Sequence, residues 1–231
     1  MTDIFGKTES GLPIVSHRFG RGDFHLLVLG GVHGDEVEGV VLANAILGRL
    51  LRHDDLRVRL TLVPTFNLDG VLAKTRGNSR GVDLNRNLPT KDWSPVATTP
   101  RYQPGPAALS ESENQALVKF IDSEKPQFII SLHSWKPMLN INEPPGSTLC
   151  AKVAEAIASR TGDVIEPTIG YSTPGCLGTY AGFERGIPTI TYEIERRLDT
   201  ETVIAKHLGP TFEGIKVLEA VPASFQKKAG T

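Results

Sequence analysis

Four residues of this chain join chemical reactivity to positions that packing alone does not require: His33, Glu36, His133 and Glu193. His33 and Glu36 form an H-x-x-E within Gly30-Gly31-Val32-His33-Gly34-Asp35-Glu36, directly after the apolar run His25–Leu29. An imidazole leaving a strand and a carboxylate on the first turn of the next helix can aim at one point, and glycines let the backbone turn tightly beside a bound group. His133 follows a second apolar run, Phe128–Leu132. Two histidines and a glutamate are a donor set of catalytic zinc, which keeps one coordination position for water. Glu193 ends a third apolar, β-branched run, Pro188–Tyr192, where a carboxylate needs a partner or a purpose.

Taken singly, each has an ordinary explanation. A lone histidine is usually a core or surface side chain, and His17, His25, His53 and His207 lack the strand-end setting altogether. Glu36 alone could stabilise the dipole at a helix N-terminus. Glu195, two residues beyond Glu193 on the same face, competes with it and is expected to pair with Arg196 or Arg197 at the surface. Only the combination points to a metal.

The elements that carry these residues follow from periodicity. Val37–Leu51 has apolar residues at helical spacing, and Arg57–Val63 reads as the next strand, closed by Pro64. Strand, helix, strand is the opening of an α/β sheet with parallel strands. Residues 67–106 show no long periodic segment and are expected to be loop. Ser110 and Glu113 have capping-box spacing ahead of the helical run Ala116–Ile121. Thr148–Ser159 predicts a helix, Ile187–Ile194 a strand, and Thr200–Ala220 a closing helix interrupted near Gly209-Pro210. Without an internal repeat or a Ser/Gly linker, residues 1–231 are expected to form one domain.

Composition removes some functions. With 39% hydrophobic and 22% charged residues and a net charge of -1, the chain has no basic patch for nucleic acid or an anionic membrane surface. No stretch is apolar enough to span a bilayer, and Met1–Ser10 lacks the apolar segment of a signal peptide. A cytoplasmic setting is therefore expected, or a periplasmic one if a leader has been lost. Cys150 and Cys176 are too few for a disulfide framework.

The middle of the chain carries a resemblance. Arg80-Gly81-Val82-Asp83-Leu84-Asn85-Arg86-Asn87-Leu88-Pro89 contains a D-x-N-R-N element that resembles the signature of the zinc metallocarboxypeptidases. Lys74-Thr75-Arg76, His133-Ser134-Trp135 and Thr191-Tyr192-Glu193-Ile194 fit that family in order and context, from about residue 26 to residue 195. The resemblance implies a mixed, mainly parallel sheet with helices on both faces and one zinc held by His33, Glu36 and His133. It implies that Asp83 accepts a hydrogen bond from the His33 ring, fixing its tautomer. Asn85 and Arg86 would bind a substrate carboxylate. Arg76 would face the carbonyl oxygen as negative charge develops, and Glu193 would be the general base. Tyr171 would close over the substrate, and Gly175–Tyr180 would contribute to the specificity pocket. The Trp93–Leu109 loop receives no role.

The implied reaction is metal-assisted hydrolysis of an amide next to a free carboxylate. Gly170-Tyr171-Ser172-Thr173-Pro174-Gly175 and Gly178-Thr179-Tyr180 resemble the branch that acts on bacterial cell-wall peptides, at the bond between γ-D-glutamate and meso-diaminopimelate. One alternative is a deacylase of N-acyl amino acids, of the aspartoacylase or succinylglutamate desuccinylase type, which shares the G-G-x-H-G-x-E corner and a D-L-N-R element. A non-catalytic, metal-bearing peptide-binding module is another, although no ligand or base is replaced here. Oligomeric state is not readable.

Overall fold

The computed structural model describes residues 1–97 and 99–221. In chain order, the strands are β1 (Thr2–Lys7), β2 (Pro13–Phe19), β3 (His25–Gly30), β4 (Arg59–Val63), β5 (Phe128–Trp135), β6 (Met138–Asn142), β7 (Val164–Glu166) and β8 (Thr189–Glu195). The α-helices are α1 (Val37–Arg52), α2 (Leu68–Ala73), α3 (Ser112–Glu124), α4 (Leu149–Thr161), α5 (Thr200–Val203) and α6 (Gly209–Glu219). All eight strands join one sheet in the order β1-β2-β4-β3-β5-β8-β6-β7. The central pairs β4-β3, β3-β5 and β5-β8 are parallel, while β1-β2, β2-β4 and β8-β6 are antiparallel, so the sheet is mixed.

Alternation along the central strands sorts side chains to two faces. Leu26, Val28, Phe128, Ile130, Ile190 and Tyr192 pack with α1, α4 and α6, whereas Leu27, Leu29 and Ile129 pack with α3. Both faces are thereby covered, as nearly continuous apolar strands require. On β5 and β8 the second face changes character toward the strand ends: Ser131, His133, Thr191 and Glu193 all lie on it.

Helix α1 buries Leu42, Ala43, Ile46 and Leu50 against the sheet and comes very close to β5. A Cβ on Gly39 would stand 2.6 Å from the Leu132 carbonyl oxygen, so glycine is needed for this approach. That close packing brings the start of α1 beside His133. Gly31, at φ +65°, makes the turn out of β3 that leads into the same corner.

Several expectations need correction. The spacing of Ser110 and Glu113 does not produce a capping box. The residue before α3 is Glu111, which makes no side-chain cap; Ser110 donates to the Glu111 carboxylate, and Glu113 accepts from the backbone N–H of Glu9 and from Asn78. The strand after Gln127 runs to Trp135, so His133 lies within it rather than after it. Among its described residues, the 67–106 stretch contains α2 and a single 3₁₀ turn, Leu84–Arg86. The closing helix is broken at Ile204–Leu208 by a wider π turn. Glu195 pairs with neither neighbour: the Arg196 guanidinium engages Asp35, and the Arg197 N–H engages Glu38. Among the described residues, no helix is long and apolar enough to cross a membrane.

Candidate metal centre and its pocket

Three chain segments bring the predicted donors together. His33 comes from the turn after β3, Glu36 from the residue before α1, and His133 from β5. His33 Nδ1 lies 3.0 Å from Glu36 Oε1 and 3.0 Å from His133 Nδ1, and His133 Nδ1 lies 2.8 Å from Glu36 Oε2. All three residues are buried.

The far side of the His33 ring decides which nitrogen carries its hydrogen. His33 Nε2 sits 3.0 Å from Asp83 Oδ1. Burial pushes the Asp83 carboxyl up, but His33, Arg76 and Arg86 outweigh it and hold the group well below the usual carboxylate range. An ionised carboxylate can only accept, so Nε2 is an N–H, and Nδ1, facing Glu36 and His133, is the nitrogen left to give a lone pair to a metal. His133 is oriented similarly: its Nε2 lies 2.9 Å from the Ser131 hydroxyl, leaving Nδ1 toward the cluster. Burial opposes charge on Glu36, yet both histidines hold its carboxyl well below the usual range. Donor atoms of two imidazoles and an ionised carboxylate therefore converge at separations of 2.8–3.0 Å, where a metal would take the place of the hydrogens they share. Around one tetrahedral zinc such atoms would stand roughly 3.3 Å apart, so this donor set fits the ion after a small expansion.

Asp83 does more than accept from His33. It also accepts from the Arg76 Nε at 2.7 Å and from the Asn85 N–H at 2.9 Å. Replacing Asp83 with Asn removes that charge and turns an NH2 toward either the His33 Nε2–H or the Arg76 Nε–H, both of them donors. Asp83→Asn should weaken zinc affinity about 10- to 100-fold, measured by competition with a chromogenic chelator.

Glu193 stands beside His133, its register partner across the parallel β5–β8 pair. It is 5% exposed, and its Oε2 has no protein partner among the described residues. Burial, reinforced by Glu36 and opposed by His133 and Arg76, pushes its carboxyl up to about 7. A carboxylate poised near neutrality is suited to taking and returning a proton.

The remaining predicted residues surround the same cleft, which encloses about 770 Å³, part of it open to solvent, and includes His33, Glu36, Glu193, Arg76, Asn85, Arg86 and Tyr171 in its walls. Arg76 donates to Glu36 Oε1 at 3.0 Å as well as to Asp83, so two carboxylates fix it. Asn85 Oδ1 accepts the Leu177 N–H at 2.8 Å, which turns its amide group and ties the 175–180 segment to the cleft. Cys176, Gly178 and Thr179 of that segment line the wall. Arg86 is 4% exposed, donates to the Asn85 carbonyl oxygen at 2.6 Å, and forms no ion pair among the described residues. Tyr171 is at the rim, its ring centroid 6.0 Å from the Arg86 guanidinium and 5.9 Å from the Trp135 ring.

Three residues escaped the sequence reading. Ser131 was detectable, because i and i+2 of a strand share a face. Asn87, the last residue of the D-x-N-R-N element, binds the carbonyl oxygens of Pro104 and Ala107 and so folds the long loop back over the site. Tyr102 in that loop lies against the Arg76 and Arg86 guanidinium groups, a contact between segments that no local pattern announces.

Comparison with known proteins places this geometry among relatives. The profile described as zinc carboxypeptidase matches residues 3–193. Murein peptide amidase A of Vibrio campbellii is 32% identical over 224 residues, covering 88% of this chain and 83% of the relative. A crystal structure of murein-tripeptide amidase from Escherichia coli O157 superposes with a TM-score of 0.77 at 25% identity, over 96% of this chain and 92% of that one. Carboxypeptidase A from Helicoverpa armigera, at 17% identity, shares the fold with a TM-score of 0.79 over 97% of this chain and 69% of its own.

Proposed function

This chain belongs to the zinc carboxypeptidase family, and from that premise we propose that it hydrolyses murein peptides at the amide between γ-D-glutamate and a terminal meso-diaminopimelate. The observation that carries the reading is Arg86. A guanidinium only 4% exposed and without an ionic partner among the described residues opens onto the cleft lined by His33, Glu36 and Glu193. A buried charge left unpaired is costly, and a substrate carboxylate would pair with it through two oxygens. That contact selects a peptide end rather than an internal bond.

His33, Glu36 and His133 would hold one zinc per chain. When bound there, zinc supplies Lewis acidity and brings the pKa of a water down to ~7. Arg86 and the free amide nitrogen of Asn85 hold the terminal carboxylate. Arg76, already fixed by Asp83 and Glu36, directs its remaining guanidinium nitrogen toward the carbonyl oxygen, where such a donor contributes about 3 kcal/mol as charge develops. Glu193 Oε2 accepts the proton of the attacking water and passes it to the departing amine. Tyr171 covers the terminal residue and excludes water from the cleft. Both cysteines are unpaired, in keeping with a reducing compartment, so we assign the enzyme to the cytoplasm.

Incubating the zinc-loaded protein with L-alanyl-γ-D-glutamyl-meso-diaminopimelate should release free diaminopimelate, detectable by chromatography. N-acetyl-aspartate should survive the same incubation. Chelation should abolish turnover and stoichiometric zinc restore it. Cleavage of N-acetyl-aspartate with an intact tripeptide would reverse the assignment in favour of a deacylase.

A further inference from the structure

The cleft contains two guanidinium groups that are secured very differently. Arg76 is held by Asp83 at 2.7 Å and by Glu36 at 3.0 Å. Arg86 has no carboxylate partner among the described residues and only one backbone acceptor, the carbonyl oxygen of Asn85. The face of Tyr102 lies behind it: the ring centroid is 5.0 Å from the Arg86 guanidinium carbon and 5.0 Å from that of Arg76. Both distances are within the range in which an aromatic face attracts a cation, and the attraction grows when water is excluded. Tyr102 also stacks on Tyr171, with centroids 6.1 Å apart and planes inclined by 21°.

The loop carrying Tyr102 is pinned on both sides of this residue to the metal corner itself. Arg101 donates to the Asp35 carboxylate at 2.7 Å, and Asp35 lies between His33 and Glu36 in the chain. The Gln103 carbonyl oxygen accepts the backbone N–H of Asp83 at 2.8 Å. Asn87 then holds Pro104 and Ala107. A ring placed between two such anchors has little freedom to leave the guanidinium.

We infer that Tyr102 is a positioning residue that orients the Arg86 guanidinium for the substrate carboxylate, through its ring face rather than its hydroxyl. The inference rests on the proposed role of Arg86 and adds the element that holds it in place. Because Arg76 keeps its two carboxylates without Tyr102, the effect of losing the ring should fall on binding and leave the chemical step nearly untouched.

The test uses zinc-loaded Glu193→Gln protein, which binds the murein tripeptide without consuming it, and calorimetry to read Kd. Adding Tyr102→Leu, or Tyr102→Gln as a second ringless variant, should raise Kd about 10-fold, whereas Tyr102→Phe should stay within about 2-fold. In the active background, the ringless variants should raise KM about 10-fold with kcat within about 2-fold. An unchanged Kd in both ringless variants overturns the inference while leaving the proposed function standing. A Phe variant as weak as the Leu variant assigns the effect to the hydroxyl and overturns it too, as does a fall in kcat at constant KM. If the Glu193→Gln parent itself does not bind the tripeptide, the proposed substrate fails and the positioning role fails with it.

Discussion

Glu193→Gln should keep one zinc per chain and lose turnover by about 1,000- to 10,000-fold, the contribution expected of a well-placed general base. The amide occupies the same volume but cannot accept the proton of the attacking water. None of the three metal donors is touched, because Glu193 hydrogen-bonds to none of them and lies beside His133 only through the strand register. Metal analysis and tripeptide hydrolysis on the same sample separate the two roles. Wild-type turnover in the Gln variant would remove Glu193 from the mechanism.

The same substitution has a consequence for stability with a definite sign. The Glu193 carboxyl is raised from an ordinary 4.5 to about 7 in the folded, metal-free protein, chiefly by burial. A raised acid favours the folded state fully below pH 4.5, and that contribution is lost as pH rises through 7. Metal-free Glu193→Gln should therefore match wild type near pH 4 and exceed it by about 3 kcal/mol near pH 8, from denaturant titrations in the presence of a chelator. A bound dication favours the ionised carboxylate, so the acid limb of kcat/KM should fall below pH 7. Equal stability of the two metal-free proteins at pH 8 would contradict the burial of an ionised group.

The parts of this site that were legible in the sequence share one feature. His33, Glu36, His133 and Glu193 stand where apolar runs give way to polar residues, and parallel strands must all present those ends on one side of the sheet. The central strands and α1 were readable for the same reason, because their patterns are long and apolar. Peripheral elements were not. Strand β7 has three residues, and β1 mixes polar and apolar residues at the sheet edge. Strand β6 reads Met-Leu-Asn-Ile-Asn, with Leu139 and Ile141 toward the core and Asn140 and Asn142 toward the cleft, so its polar positions serve the pocket instead of solvent. Ser110 and Glu113 misled because tertiary partners, Asn78 and Glu9, outbid the local cap. The role of Tyr102 depends on a loop fold that Asn87 and Asp35 dictate from other segments.

His33→Ala should weaken zinc binding steeply. Zinc held by a few protein donors carries roughly 10–16 kcal/mol in total, so one missing donor removes about 3–4 kcal/mol, or about 100- to 1,000-fold in affinity. Asp83 would keep Arg76 and the Asn85 N–H as partners, and the β3–β5 pairing does not involve the His33 side chain, so the chain should still fold. Thermal melting with and without zinc makes the distinction. If zinc is present at 1,000 times its Kd, the parent gains about 4 kcal/mol, which for a chain of this size corresponds to about 8–16 °C in Tm. His33→Ala, for which the same zinc stands at only about 1 to 10 times Kd, should keep about 0.4–1.4 kcal/mol of that gain, a shift of about 1–6 °C. Glu193→Gln should keep the full zinc-dependent shift, because removing the base leaves the two imidazoles and the Glu36 carboxylate in place. A His33→Ala protein that retained stoichiometric zinc and the full thermal shift would move the metal away from this corner, and with it the reaction assigned to the cleft.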